Sequence, residues 1–229
     1  MKTHKIKKTE FDLLSDDYEK TLKKSFPALL EEVSYFTSYK IKLIYDLNKK
    51  KKNINILDFG CGAGSSLKII PEYFKFSEFW GYDVSKKFIN KIKKQNKKFK
   101  LTSNLKKIPT KKFDLILISN VLHHVDKKNH CKILSYCRKF LNDSGVLYIF
   151  EHNPINPLTN YVFKNTPIDK NAEMIHSKKL ISNALKAKLK IINLKYTLFF
   201  PKQLFFLRFL EKFLSWLPLG AQYLLILRK

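Results

Sequence analysis

The sequence predicts an α/β protein built on a doubly wound, mostly parallel sheet. Three observations carry the prediction. Seven short runs have strand character, helical stretches follow the first, second and fourth of them, and a glycine-rich turn, Gly60-Cys61-Gly62-Ala63-Gly64, comes directly after the first. Strands that alternate with helices at this spacing return by crossovers and therefore lie parallel. With 229 residues, 45% of them hydrophobic, the chain is expected to form a single domain with a sizeable core.

The first fifty residues read as amphipathic helix, FDLLSDDYEKTLKKSF leading into SYFTSYKIKLIYDL, and lysines from Lys49 onwards separate them from the first strand, INILDF. SSLKII is then expected to be helical until Pro71 kinks or ends it. FWGYDV is the second strand, and Ser85 stands as N-cap to the helix KKFINKIKKQN. A short strand near Phe99 to Leu101 leads into a loop ending at Pro109. FDLILIS, Phe113 to Ser119, is apolar nearly throughout, as a strand covered on both faces must be. A helix over Lys128 to Leu141, with Cys137 on its apolar face beside Ile133 and Leu134, ends before Gly145, and the strand VLYIFE follows.

Beyond that strand the composition shifts. HNPINPLTNYVFKNTPID is loop-like, SKKLISNALKAKL is a helix capped by Ser177, and KIINLKYTLFF and AQYLLILR are two more strands. Between these strands QLFFLRFLEKFLSWL reads as a helix with a narrow polar stripe of Arg208, Glu211, Lys212 and Ser215. Burial is the expectation for its wide apolar face; contact with lipid, or cover over a substrate, is the alternative.

The formal charge of +26 suits nucleic acid or an anionic membrane. However, only Arg138, Arg208 and Arg228 are arginine, and the lysines are spread along the chain, so a solvated basic surface is the first reading. Cys61, Cys131 and Cys137 are odd in number and form no C-x-x-C pair, which indicates neither a disulfide framework nor a zinc site, and no metal is expected. No apolar stretch follows the basic MKTHKIKKTEF, and no run approaches the ~20 apolar residues of a membrane span. Cytoplasm is the expected compartment, with peripheral membrane contact as the use the apolar helix would allow.

The glycine turn carries the functional reading. Its spacing, Gly60-x-Gly62-x-Gly64, differs from the G-x-G-x-x-G of a dinucleotide fold. Asp58 closes the strand before it and Asp83 closes the next, where a ribose hydroxyl pair would be held. A turn without side chains there lets a ligand lie against backbone, with the N–H groups of the following helix in reach.

LDFGCGAG, WGYDVS, FDLILISNVLHHV and FLNDSGVLYIFEHNP, in that order, resemble the motif set of class I S-adenosylmethionine-dependent methyltransferases, in particular the small-molecule, ubiquinone/menaquinone methyltransferase-like branch. The resemblance implies a Rossmann-like sheet of seven strands with the last antiparallel. It divides the chain into a helical cover (1–50), a cofactor-binding core (53–154) and a substrate-side, sheet-completing segment (155–229). It implies S-adenosyl-L-methionine as cofactor, held by Asp58, Gly60, Cys61, Gly62 and Gly64, with Asp83 on the ribose and Val84 beside it. The family pattern D-x-x-x-L-P falls on Asn104-Leu105-Lys106-Lys107-Ile108-Pro109, placing Asn104 and Leu105 by the adenine, with asparagine where the family has aspartate. Ser119 and Asn120 would face the methionine end, and Tyr18 would belong to a lid.

Proton acceptors are expected at two strand ends, His124 after the fourth strand and Glu151-His152 at the end of the fifth, with Glu151 either orienting a histidine or binding the acceptor. His123 is expected to pack or to bond locally, and His4, His130 and His176 to lie on the surface. The stretch EHNPINPLTNYVFKNTPIDKNAEMI and the ending WLPLGAQYLLILRK resemble methyltransferases of bacterial polysaccharide and glycolipid gene sets, which implies a small-molecule, glycan or lipid-linked acceptor. Two rivals remain at this point. One is a nucleic-acid methyltransferase, suggested by charge but without the Pro-Pro-aromatic motif after the fourth strand; the other is a non-catalytic binder of the cofactor. The acceptor atom and the oligomeric state have no sequence signature here.

Overall fold

A computed structural model describes residues 27–229 apart from Lys50, Phe76 and Lys97. Tyr18, His4 and the first half of the expected helical cover therefore lie outside the described residues. The strands are β1 (Asn55–Phe59), β2 (Glu78–Tyr82), β3 (Lys100–Thr102), β4 (Phe113–Ser119), β5 (Leu141–His152), β6 (Lys190–Thr197) and β7 (Gln222–Arg228). They form a seven-stranded sheet in the order β3-β2-β1-β4-β5-β7-β6. β1, β2 and β3 pair in parallel, as do β4 and β5, while β7 runs antiparallel to both β5 and β6. The mostly parallel sheet with an antiparallel last strand is the one expected. The chain divides into two compact units, one ending at Pro109 and the other starting at Thr110.

In the first unit β1 is buried at four of its five positions, so it reads as an apolar run rather than an alternating one. Helices α1 (Pro27–Asn48), α2 (Ser65–Tyr73) and α3 (Lys86–Gln95) accompany the strands. α1 buries Ile41 and Ile44, and its Tyr45 ring meets those of Tyr73 and Phe74 at 5.6 and 5.5 Å. α2 runs two residues past Pro71, because a proline in the last turn leaves only one carbonyl without its N–H partner. Ser85 caps α3 as expected: it is extended, and its hydroxyl accepts from Phe88 N at 3.2 Å.

In the second unit the inner residues of β4 are almost wholly buried, and α4 (His130–Phe140) puts Leu134 and Cys137 in the core. Helices α5 (Pro157–Asn165), α6 (Ser177–Lys186) and α7 (Glu211–Leu214) follow. Ser177 is not the cap of α6; His176 holds that position, and the Ser177 hydroxyl lies 3.3 Å from that of Tyr196.

The aromatic C-terminal stretch departs most from expectation. It is a 3-10 helix over Lys202–Leu210, broken at Leu204 (φ −106°), that continues into the single turn of α7. Its polarity is inverted. Glu211 is 5% exposed, whereas Phe205, Phe209 and Trp216 are 65%, 64% and 73% exposed. The reason is local: the Glu211 carboxylate accepts the Phe199 backbone N–H at 3.2 Å beside Arg208, and this turns these two members of the polar stripe inward while Lys212 stays exposed. Among the described residues no helix is long and apolar enough to cross a membrane.

Candidate active site

The glycine turn lies in the first unit. Gly60, Gly62 and Gly64 have φ of +86°, +48° and +82°, a run of left-handed backbone that side chains resist. The N–H groups of Gly60 and Cys61 both donate to Tyr82 O, at 2.7 and 2.9 Å, and draw the turn onto the end of β2. Gly62 N then donates to one oxygen of Asp83 and Ser85 N to the other, each at 2.8 Å. These two backbone bonds orient the Asp83 carboxylate. A Cβ built on Gly62 would meet nothing within 4 Å, while one on Gly64 would press Ile92 at 3.1 Å. Gly64 therefore serves helix packing, and Gly62 leaves open backbone.

Asp58 is buried, and its Oδ2 has no hydrogen-bond partner. Burial first, and the Asp83 charge second, push its carboxyl up to about 7. Burial and the same two acids raise the Cys61 thiol as well, which makes it a packing residue rather than a nucleophile. Val84 is 43% exposed, an apolar side chain left open at the rim. Asn104 caps the turn that follows β3, its side-chain oxygen accepting Lys106 N at 3.0 Å, and Leu105 is half-buried behind it. Open backbone at Gly62, an oriented Asp83 carboxylate and a bare buried oxygen on Asp58 fit a ligand with vicinal hydroxyls and a cationic amino-acid end.

The second unit holds a cluster built on Glu151. This side chain is fully buried; one oxygen accepts Val121 N (3.1 Å) and Leu122 N (2.7 Å), and the other accepts the Nδ1–H of His123 at 2.6 Å. His123 Nε2 lies 3.5 Å from Asp169, and His124 Nε2 lies 3.4 Å from the same carboxylate oxygen. His124 and His152 set their rings 4.2 and 5.1 Å from that of His123. Burial alone would lower the His123 pKa, but Glu151 and Asp169 outweigh it and raise it to about 9. His123 is thus a cation clamped between two carboxylates and a poor proton acceptor. The histidines in turn hold Glu151 and Asp169 below the usual carboxylate range in spite of their burial.

Glu151 cannot reach an acceptor from this position. Of its two expected roles the geometry supports orientation, and the histidine it orients is His123 rather than His124 or His152. Those two are half-buried. Ser119 ends β4, and Asn120 follows in left-handed backbone (φ +55°), its N–H on Phe150 O and its buried side-chain oxygen without a hydrogen bond.

Residues 57–147 match the family described as "Methyltransferase domain". That stretch takes in the glycine turn, Asp58 and Asp83 and runs into β5, 91 of the 229 residues. An uncharacterised protein of Methanocaldococcus jannaschii is 27% identical over 161 residues, 68% of each chain. The ubiquinone biosynthesis O-methyltransferase of Pelagibacter ubique is 34% identical over 122 residues, 51% of this chain and 48% of that one, so the match spans only about half of that enzyme. Among solved structures, magnesium protoporphyrin IX methyltransferase from Synechocystis PCC 6803 with bound SAH superposes with a TM-score of 0.66 at 12% identity, covering 97% of this chain and 99% of that one. At that identity the likeness speaks for the fold.

Two residues of the second unit's cluster escaped the sequence reading. Asp169 sits in the Pro- and Asn-rich stretch with no periodicity to tie it to His123. His130, expected on the surface, is buried, and its Nε2–H is shared between Leu122 O (3.0 Å) and Val125 O (2.9 Å), bracing the turn that carries His123 and His124. Its place in the first turn of a helix directly after LHHV was the available signal.

Proposed function

We propose that the protein is an S-adenosylmethionine-dependent methyltransferase acting on a small-molecule, glycan or lipid-linked acceptor, and that a histidine of the second unit takes the acceptor's proton. The observation that carries the cofactor side is the oriented Asp83 beside open backbone at Gly62. S-adenosylmethionine, when bound, supplies an electrophilic methyl group on a sulfonium. Asp83 would hold the ribose hydroxyls, Val84 would cover one side of the base, and Asp58 would ionise on meeting the positive amino-acid end. Positioning of this kind supplies much of the rate of an in-line transfer.

In the second unit His124 and His152 are the proton acceptors, with Asp169 orienting His124. Glu151 and His123 are positioning residues that fix the 121–124 turn. For the acceptor, support comes from the resemblance to the small-molecule branch and from the relative named as a ubiquinone biosynthesis O-methyltransferase.

Incubation with methyl-labelled S-adenosylmethionine and separated lipid, glycan, small-molecule and RNA fractions tests the proposal. Label is expected in one of the first three. Label in RNA, with a steep loss of binding on adding salt, would instead make this a nucleic-acid methyltransferase. No label in any fraction, despite calorimetric binding of the cofactor, would make it a non-catalytic binder.

A further inference from the structure

We infer that the aromatic face formed by residues 155–161 and 204–219 docks onto an anionic lipid surface. Phe205, Phe206, Phe209, Phe213 and Trp216 point outward from one segment, and Leu158 and Tyr161, 70% and 66% exposed, from the other. The two segments are built side by side. Asn153 donates to Pro218 O (3.0 Å) and Gly220 O (2.8 Å), Asn156 to Leu219 O (2.6 Å), and the Thr159 hydroxyl to Ala221 O (3.2 Å). The outward direction is fixed as well. Glu211 is committed inside to Phe199 N, and a Cβ on Gly220 would fall 2.5 Å from Thr197 O, so the strap cannot roll over without breaking both contacts. Large apolar side chains rigidly presented in this way mark a binding surface.

Charge selects the occupant. The two segments carry Arg208, Lys212 and one acid, Glu211, and the stretch between them (162–203) adds nine Lys and two acids. Asp169 is engaged with His123 and His124, Glu173 with Lys127, and Glu211 with Arg208. Lys212 is exposed within the face, its ammonium 4.7 Å over the Phe213 ring. A chain of +26 repels a second copy of itself but is drawn to anionic headgroups, where Phe and Trp seat at the boundary with the acyl region. Docking of this kind would place the enzyme where a lipid-linked acceptor resides, yet it is read out by binding alone and stands whether or not that acceptor is the substrate.

The test is sedimentation of the full chain with vesicles of phosphatidylcholine alone and of phosphatidylcholine mixed equally with phosphatidylglycerol. Wild type should sediment with the mixed vesicles and at least ~10-fold more weakly with the neutral ones. The variant Phe205→Ser/Phe209→Ser/Trp216→Ser should lose vesicle affinity at least ~10-fold while its melting temperature and its affinity for S-adenosylhomocysteine hold. Independently, wild-type tryptophan emission should shift to shorter wavelength on adding the mixed vesicles, and the shift should vanish in Trp216→Phe. Wild type that does not sediment, or a serine variant that binds equally well, overturns the inference. So does a wild-type dimer without vesicle affinity that the serine variant splits into monomers, which would give the face to a second copy.

Discussion

Replacing Glu151 by Gln tests the electrostatic design of the histidine cluster. The glutamine oxygen can still accept Val121 N and Leu122 N, so the turn keeps its backbone bonds, but that charge facing His123 is gone while Asp169 remains beside it. Folding raises the His123 pKa from 6.5 to about 9. At 1.36 kcal/mol for each factor of ten in proton affinity, this amounts to about 3 kcal/mol. Because the folded value is the higher one, that stability is complete below pH 6.5 and is withdrawn as the pH climbs through 9. Urea unfolding followed by circular dichroism, run at a series of pH values on both proteins, reads it out. Taking the difference between the curves cancels the titration of the rest of a highly charged chain. Wild type should exceed Glu151→Gln near pH 6 by the share of that ~3 kcal/mol that Asp169 does not supply, and the gap should narrow as the pH approaches 9. A gap that stays constant across the window would mean that His123 is neutral in the folded protein, and the clamped-cation account would fail.

Gly62→Ala should cost about 1 kcal/mol of stability, because alanine is strained at φ +48° but meets no neighbour, and should weaken S-adenosylhomocysteine binding at least ~10-fold in calorimetry. Undiminished affinity would remove the ligand from that backbone. Asp58→Asn should flatten a different pH window. The unfolded chain ionises this acid near 3.8 and the folded chain only near 7, so wild type loses up to about 4 kcal/mol as the pH rises between them. The amide variant should therefore match wild type near pH 4 and exceed it by ~1–3 kcal/mol at pH 8, after the cost of an unsatisfied amide; equal stability at pH 8 would argue for an Asp58 ionised at little cost. His124→Ala should lower kcat by ~100-fold or more with cofactor affinity unchanged, and an unaltered kcat would move the proton acceptor to His152.

What the sequence disclosed and what it withheld divide along a physical line. Features set by neighbours in the chain were legible: the Ser85 cap, the buried run of β4, the left-handed glycines and the acids at two strand ends each follow from local backbone and side-chain chemistry. Features set by partners far along the chain were not. Nothing near Glu151 announces that it will accept two backbone N–H groups 29 and 30 residues away, or that Asp169 will complete the clamp on His123.

The strap at 204–216 shows the difference most sharply. Its periodicity correctly separated an apolar face from a polar stripe, but periodicity has no sign: it cannot tell which face the fold turns inward. The usual sign follows from the cost of burying charge. Here that cost is reduced because Arg208 and Glu211, three residues apart, neutralise one another, and the glutamate also satisfies a backbone N–H at Phe199 just before Pro201. Once Arg208 and Glu211 have partners inside, none of the described residues of the unit covers the phenylalanines. Their exposure is then a consequence of the interior chemistry of residues 199–211, and a partner surface becomes the remaining place for them to be buried.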